Sequence, residues 1–179
     1  MAYQTVVDNL NVMRGNALLE VAPYVDGEPA WVSAGAISDL EVEIDASVAK
    51  EENDNADSTD RFNKQEAKIK FTQIELLRLD VWEILYGALV DIEMESDSTQ
   101  ISGGHKSAIP YFMTRLTTES DSKVFKFTAY KCNLQKLFSL KYAKDDADDT
   151  RLKIPVEIVG KTDPYRGDKV WNIEGPFNG

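Results

Sequence analysis

Apolar and polar residues alternate with period two over much of this 179-residue chain. In Leu40-Glu41-Val42-Glu43-Ile44-Asp45 the apolar side chains point one way and the carboxylates the other, the signature of a strand with one wet face. Leu40, Val42 and Ile44 are therefore expected in the core. Ala67-Lys68-Ile69-Lys70-Phe71-Thr72 repeats the pattern with lysines on the wet side, and Val90-Asp91-Ile92-Glu93-Met94-Glu95 reads the same way. Further strands are predicted over Ala17 to Tyr24, Ile109 to Thr117, Val124 to Leu134, Leu152 to Val159 and Lys169 to Ile173. Asp26-Gly27, Gly103-Gly104, Ser120-Asp121-Ser122 and Asp163-Pro164 punctuate them as turns. One stretch changes period: across residues 75–89, Leu77, Val81, Ile84, Leu85, Ala88 and Leu89 form the stripe of an amphipathic helix, with Gly87 placed to weaken its end. Many short strands and one helix predict a mainly β (α+β) fold, a β-sandwich or partial barrel of antiparallel strands. No internal repeat or linker divides the chain, so residues 1–179 are read as one domain, with residues 165–179 as a C-terminal extension.

Charge adds an uneven feature. The chain has 31 acids and 20 bases, a net charge of -11. Residues 39–60 hold nine acids and one base, a net of -8 that leaves only -3 for the rest. Such a concentration marks a solvated, mobile segment or an interaction surface. Because it lies between two alternating strands, residues 46–66 are expected to form a long acidic hairpin loop, a length associated with function or disorder. The acidity argues against a protein that coats duplex DNA, which neutralises phosphates with a surplus of Lys and Arg. Nothing in the sequence resembles a signal peptide or a membrane helix, which predicts a soluble product with no membrane insertion.

Candidate chemistry is sparse. The single histidine, His105, lies in Ser102-Gly103-Gly104-His105-Lys106-Ser107, which has neither a nucleophile elbow nor P-loop spacing, and is read as a surface residue. One histidine and one cysteine, Cys132, cannot make a structural zinc site, and Cys132 has no disulfide partner. The acidic runs Asn53 to Ser58 and Asp145 to Asp149 lack the turn glycine and distal glutamate of a calcium loop, so they are read as solvated charge. Trp31, Trp82 and Trp171 are expected to pack in the core or an interface. No catalytic residue, metal or cofactor is expected, and the protein is not expected to be an enzyme.

The order of elements resembles the major tail tube proteins of long-tailed, non-contractile bacteriophages. The residues that carry the resemblance begin with Asn16-Ala17-Leu18-Leu19-Glu20-Val21-Ala22-Pro23-Tyr24 and the run Ser33 to Ile44. They continue through the polar loop, the return strand Ala67-Lys68-Ile69-Lys70-Phe71 and the helix Leu76 to Tyr86. Val124-Phe125-Lys126-Phe127-Thr128-Ala129-Tyr130-Lys131 and Leu152-Lys153-Ile154-Pro155-Val156-Glu157-Ile158-Val159-Gly160 complete them. The match spans roughly residues 16–160 and is one of pattern; the long loop lacks the glycine often found in relatives, and no appended immunoglobulin-like domain is expected after it.

The resemblance implies a β-sandwich or partial barrel flanked by one helix, in a structural virion protein. Six copies would form a ring, and rings would stack around a tape measure protein into a tube that meets tail terminator and tail-tip proteins. Genomic DNA would pass through without specific binding. The protein would reside in the virion tail, and in the host cytoplasm during assembly. Carboxylates lining such a lumen repel phosphate, so Glu41, Glu43 and Asp45 are expected to face it, tempered by Lys68 and Lys70. Lys50, Glu51, Glu52, Asp54, Asp57, Asp60 and Arg61 are expected at contacts between subunits or rings. The alternatives are a small β-sandwich module that binds carbohydrate or peptide, and a tube protein of a contractile tail or secretion system.

Overall fold

In a computed structural model, residues 17–51, 59–73, 78–94, 98–103, 110–120, 123–137, 139–144 and 150–175 are described. The alternating segments become strands: β1 (Ala17–Pro23), β2 (Val32–Ser33), β3 (Ile37–Glu51), β4 (Thr59–Gln73), β5 (Val90–Met94), β6 (Thr99–Gly103), β7 (Phe112–Ser120), β8 (Lys123–Leu134), β9 (Lys141–Lys144), β10 (Thr150–Lys161) and β11 (Trp171–Glu174), with helix α1 (Leu79–Tyr86) between β4 and β5. The main sheet runs β2-β1-β7-β8-β10-β4-β3, antiparallel at every step. β11 joins the edge of β8 that β10 leaves open, and β9 extends β10. β5 and β6 form a separate hairpin.

One core gathers residues from both ends of this sheet. Leu19 and Val21 of β1 join Ile69 and Phe71 of β4, Phe127 and Ala129 of β8, and Ile154, Val156 and Ile158 of β10. For the β1 and β4 regions to share a core the sheet must curl, yet β2 and β3 at its ends do not pair with each other. The result is a mainly β fold, an open partial barrel flanked by one helix. α1 supplies Val81, Trp82, Leu85 and Tyr86 to the same core, with the Trp82 and Tyr86 rings 4.7 Å apart. Trp171 stacks on Phe127 at 6.4 Å, whereas Trp31 lies under the Arg115 guanidinium, which is 4.4 Å from its ring centre and paired with Glu20.

Three expectations are corrected. The helix is shorter than residues 75–89: it runs from Leu79 to Tyr86, residues 87–89 are a turn, and 74–77 lie outside the described residues. The apolar stripe continues through Ala88 and Leu89, but the chain leaves the helix at Gly87, whose N–H bonds the Glu83 carbonyl at 3.0 Å. A Cβ there would stand 2.4 Å from that oxygen. Asp80 accepts from Arg78 and from the Val81 N–H at the other end, and the Arg78 guanidinium holds its carboxyl below the usual range.

The second correction concerns residues 46–66. β3 and β4 pair from Ile37↔Gln73 out to Glu51↔Thr59, so most of the expected loop is a two-stranded ribbon and only residues 52–58 lie outside the described residues. Its hydrogen-bond ladder extends the pairing anchored at the core, which needs no apolar face. The third concerns residues 165–179: β11 within them belongs to the main sheet, pairing Trp171 to Glu174 against Ala129 to Lys126.

Cys132 is fully buried, and burial pushes its thiol up to about 12. A thiol held protonated is a poor nucleophile. Labelling by a thiol-specific reagent at pH 8 should therefore track global unfolding; fast stoichiometric labelling of the native protein would contradict this packing.

Candidate functional site

The charged wall of β3 and β4 depends on a bulge. Ile37 and Leu40 are three residues apart, so in an unbroken strand they would face opposite sides. Between Ser38↔Thr72 and Glu41↔Lys70 the ladder gains one residue on β3, with Asp39 in the left-handed region at φ 55°. The bulge returns Leu40 and Val42 to the side of Ile37, and all three pack partly buried against the core. Ile44 departs from its expected core position: it is 43% exposed, because here the ribbon runs beyond the elements that would cover it.

On the opposite face Glu41 and Glu43 lie directly across from Lys70 and Lys68. Lys70 Nζ donates to Glu43 at 3.0 Å and to Glu41 at 3.3 Å, while Lys68 donates diagonally to Asp45. These carboxylates raise both lysines, Asp45 acting chiefly on Lys68, and Glu43 with Glu41 on Lys70. Glu157 of β10 lies across the other side of Lys70 and pairs with Lys136 at 3.3 Å. The surface is a lattice of alternating charge rather than an acid cluster. Among the described residues no group of three or more His, Cys, Asp or Glu is placed to hold a metal.

The remaining residues named from sequence lie along the ribbon. Lys50 and Glu51 on β3 oppose Asp60 and Thr59, and Arg61 on β4 opposes Ala49. Glu52, Asp54 and Asp57 lie outside the described residues, as do His105 and the acidic run Asp145 to Asp149.

A second constellation is not anticipated from sequence. Asp163 is completely buried, and its carboxylate accepts from Tyr24 Oη at 2.8 Å, the Tyr165 N–H at 3.0 Å and Arg166 Nη1 at 2.7 Å. Burial by itself would raise this carboxyl. Arg166, Tyr24 and the Tyr165 N–H outweigh it and hold Asp163 below the usual carboxylate range. Tyr24 is pushed up to about 12, first by desolvation and then by the carboxylate it donates to. Arg166 also donates through Nη2 to the carbonyls of Val25 and Gly27, at 2.9 and 3.0 Å, tying the turn after β1 to the turn after β10. The local signal was present: Asp-Pro-Tyr-Arg-Gly carries an N-cap, a proline in the first turn and a left-handed Gly167 at φ 66°. What it does not contain is Tyr24, 139 residues away.

Beside this turn the Tyr24 ring lies 6.1 Å from both Tyr111 and Tyr165. The Lys131 ammonium stands 4.6 Å over Tyr111 and 5.6 Å over Tyr24. Of these groups Tyr111 and Lys131 line a cavity of about 250 Å³, together with Gln65, Glu66, Gly160, Lys161 and Thr162.

No protein-family model matches the chain, and no curated protein matches it. Among solved structures it is similar to a chain of the cryo-EM structure of the anti-feeding prophage baseplate, which was six-fold symmetrised. The two are 10% identical, the match covers 92% of this chain and 95% of that one, and the TM-score is 0.45. A likeness of that depth does not define a function.

Proposed function

We propose that this chain is a structural, non-enzymatic subunit that assembles into rings and then a tube, as its resemblance to tail tube proteins implies. The observation that carries the reading is β3, a strand of 15 residues that ends the main sheet with no strand paired to its outer edge among the described residues. A long open edge is a liability in a free protein and a joint in an assembly that continues the sheet from copy to copy. The charges along β3 suit both states, since they discourage indiscriminate pairing and allow a matched partner.

The wall formed by Glu41, Glu43, Asp45, Lys68 and Lys70 suits a conduit for DNA. Its three acids and two bases are already ion-paired, which leaves a slightly negative surface with little to hold a phosphate. On this reading the copies form hexameric rings around a tape measure protein, capped by terminator and tail-tip proteins, in the virion tail. Negative-stain electron microscopy of the concentrated protein tests it. Rings or tubes of uniform diameter are expected, and a protein that stays monomeric at millimolar concentration would overturn the proposal. The tyrosine cluster around Tyr24 favours the runner-up, a module that binds carbohydrate or peptide; it predicts a stoichiometric complex with such a ligand and no tubes.

A further inference from the structure

The cavity beside the Asp163 turn mixes its charges. Glu66 shares the lining with Lys131 and Lys161, so the lining selects neither an anion nor a cation. It offers acceptors and donors side by side: the Glu66 carboxylate accepts, the lysines donate, and Gln65 and Thr162 do both. A hydroxyl group, which donates and accepts at once, is what such a lining satisfies. Peptides fit it less well. β8 and β10 are paired here with each other and, on their far sides, with β7 and β4, so no strand edge is open to a peptide backbone. A proline-rich segment brings carbonyl acceptors but no proline N–H to meet Glu66.

Tyr111 of the lining also begins a chain of three tyrosines. Its ring centre is 6.1 Å from that of Tyr24, which is 6.1 Å from that of Tyr165. Lys131 over Tyr111 and Tyr24, and Asp163 on the Tyr24 hydroxyl, hold the first two rings in place. Even so, Tyr111 is 38% exposed and Tyr165 is 67% exposed. An aromatic face in water is apolar yet electron-rich, and attracts polarised C–H bonds.

We propose that Tyr111, Tyr165 and the adjoining cavity bind a neutral carbohydrate. A pyranose ring combines what the two parts of the site take: a C–H face for tyrosine and hydroxyls for the cavity. At about 250 Å³ the cavity is smaller than the roughly 300–1,000 Å³ of sites that enclose drug-sized ligands, so it holds no more than one sugar ring. Further units of an oligosaccharide run outward over Tyr24 and Tyr165. The site belongs to one copy and needs no second, so it stands apart from the assembly reading above.

Titration calorimetry of the full chain tests it, with hexasaccharides of glucose, mannose, xylose and N-acetylglucosamine as neutral probes. A polygalacturonate hexamer and a proline-rich peptide probe the charged and peptide alternatives. At least one neutral hexasaccharide should bind, one per chain. Tyr165→Ala and Tyr111→Ala should each weaken that binding at least about tenfold, as removal of an aromatic anchor does. Tyr111→Phe keeps the ring and loses at most one hydrogen bond, so it should stay within about threefold of the unaltered chain. Thermal melts establish that each variant is folded; should Tyr111→Ala fail to fold, Tyr165→Ala, at the more exposed ring, decides. No binding of any neutral hexasaccharide at millimolar concentration overturns the proposal, as does unchanged binding by the alanine variants. Binding of the polygalacturonate alone, or of the peptide alone, overturns it too. Tubes from a chain that binds none of the sugars would remove the site and leave the assembly reading. A sugar-binding chain that forms no tubes would do the reverse.

Discussion

Replacing Asp163 with alanine should destabilise the protein by about 3–5 kcal/mol, the cost expected when one partner of a buried ion pair is removed. Three donors lose their acceptor together: Arg166 Nη1, Tyr24 Oη and the Tyr165 N–H. Arg166, only 17% exposed, is left with uncompensated charge, its remaining contacts being neutral groups: the Val25 and Gly27 carbonyls, Met113 Sδ and the Tyr130 ring. Asp163→Asn keeps the shape and one acceptor oxygen, so its cost should be smaller. Urea unfolding at pH 7 measures both. The pH dependence follows from the lowered carboxyl of the folded state. Such a group stabilises the fold above its unfolded pKa of about 3.9, and that contribution is lost as pH falls through the lower folded value. The advantage of the unaltered chain over Asp163→Asn should therefore be full at pH 7 and shrink below about pH 4. A difference independent of pH down to acid unfolding would mean that the carboxylate's charge is not what secures the turn.

Reversing Glu41, Glu43 and Asp45 to lysine should leave the fold intact and convert the proposed conduit into a DNA trap. With Lys68 and Lys70 the wall changes from three acids and two bases to five bases per copy. The lost surface ion pairs are worth roughly 0–1 kcal/mol each and the new lysine–lysine pairs across the strands cost about as much again, less than the backbone ladder and core anchoring of the ribbon, so it should survive. Affinity for duplex DNA should rise sharply, with a log–log salt slope of about -4.5 if all five lysines of a copy engage phosphates. Assemblies of the unaltered chain should retain no duplex in co-sedimentation, and the variant's should retain it at low salt. In a tail, assembly should proceed and genome delivery should fail. Variant tubes that deliver DNA normally would remove these residues from the lumen.

The two sets of residues differ in how far sequence reveals them. Glu41, Glu43 and Lys70 are legible because period-two alternation sets the face, and the pairing of two adjacent alternating strands follows from it. Even the bulge left a trace in the three-residue offset between Ile37 and Leu40. The outer ribbon left none, because residues 46–66 have no sustained apolar alternation and backbone pairing alone extends the strands there. Ile44 shows the limit in the other direction: its place in the pattern was right, but whether anything covers that face depends on how far the ribbon outruns the core.

The sequence by itself determined the strand class, the single helix segment, the charge-bearing faces and the lack of recognisable catalytic motifs, because each is encoded within a few residues of the chain. Tertiary structure decided what depends on distant residues meeting. It curled the sheet around one core, placed Lys131 across from Lys161, and brought Tyr24 and Arg166 to the same buried carboxylate. Side-chain periodicity is local, but burial and ion pairing are properties of the space between segments, which local periodicity does not specify.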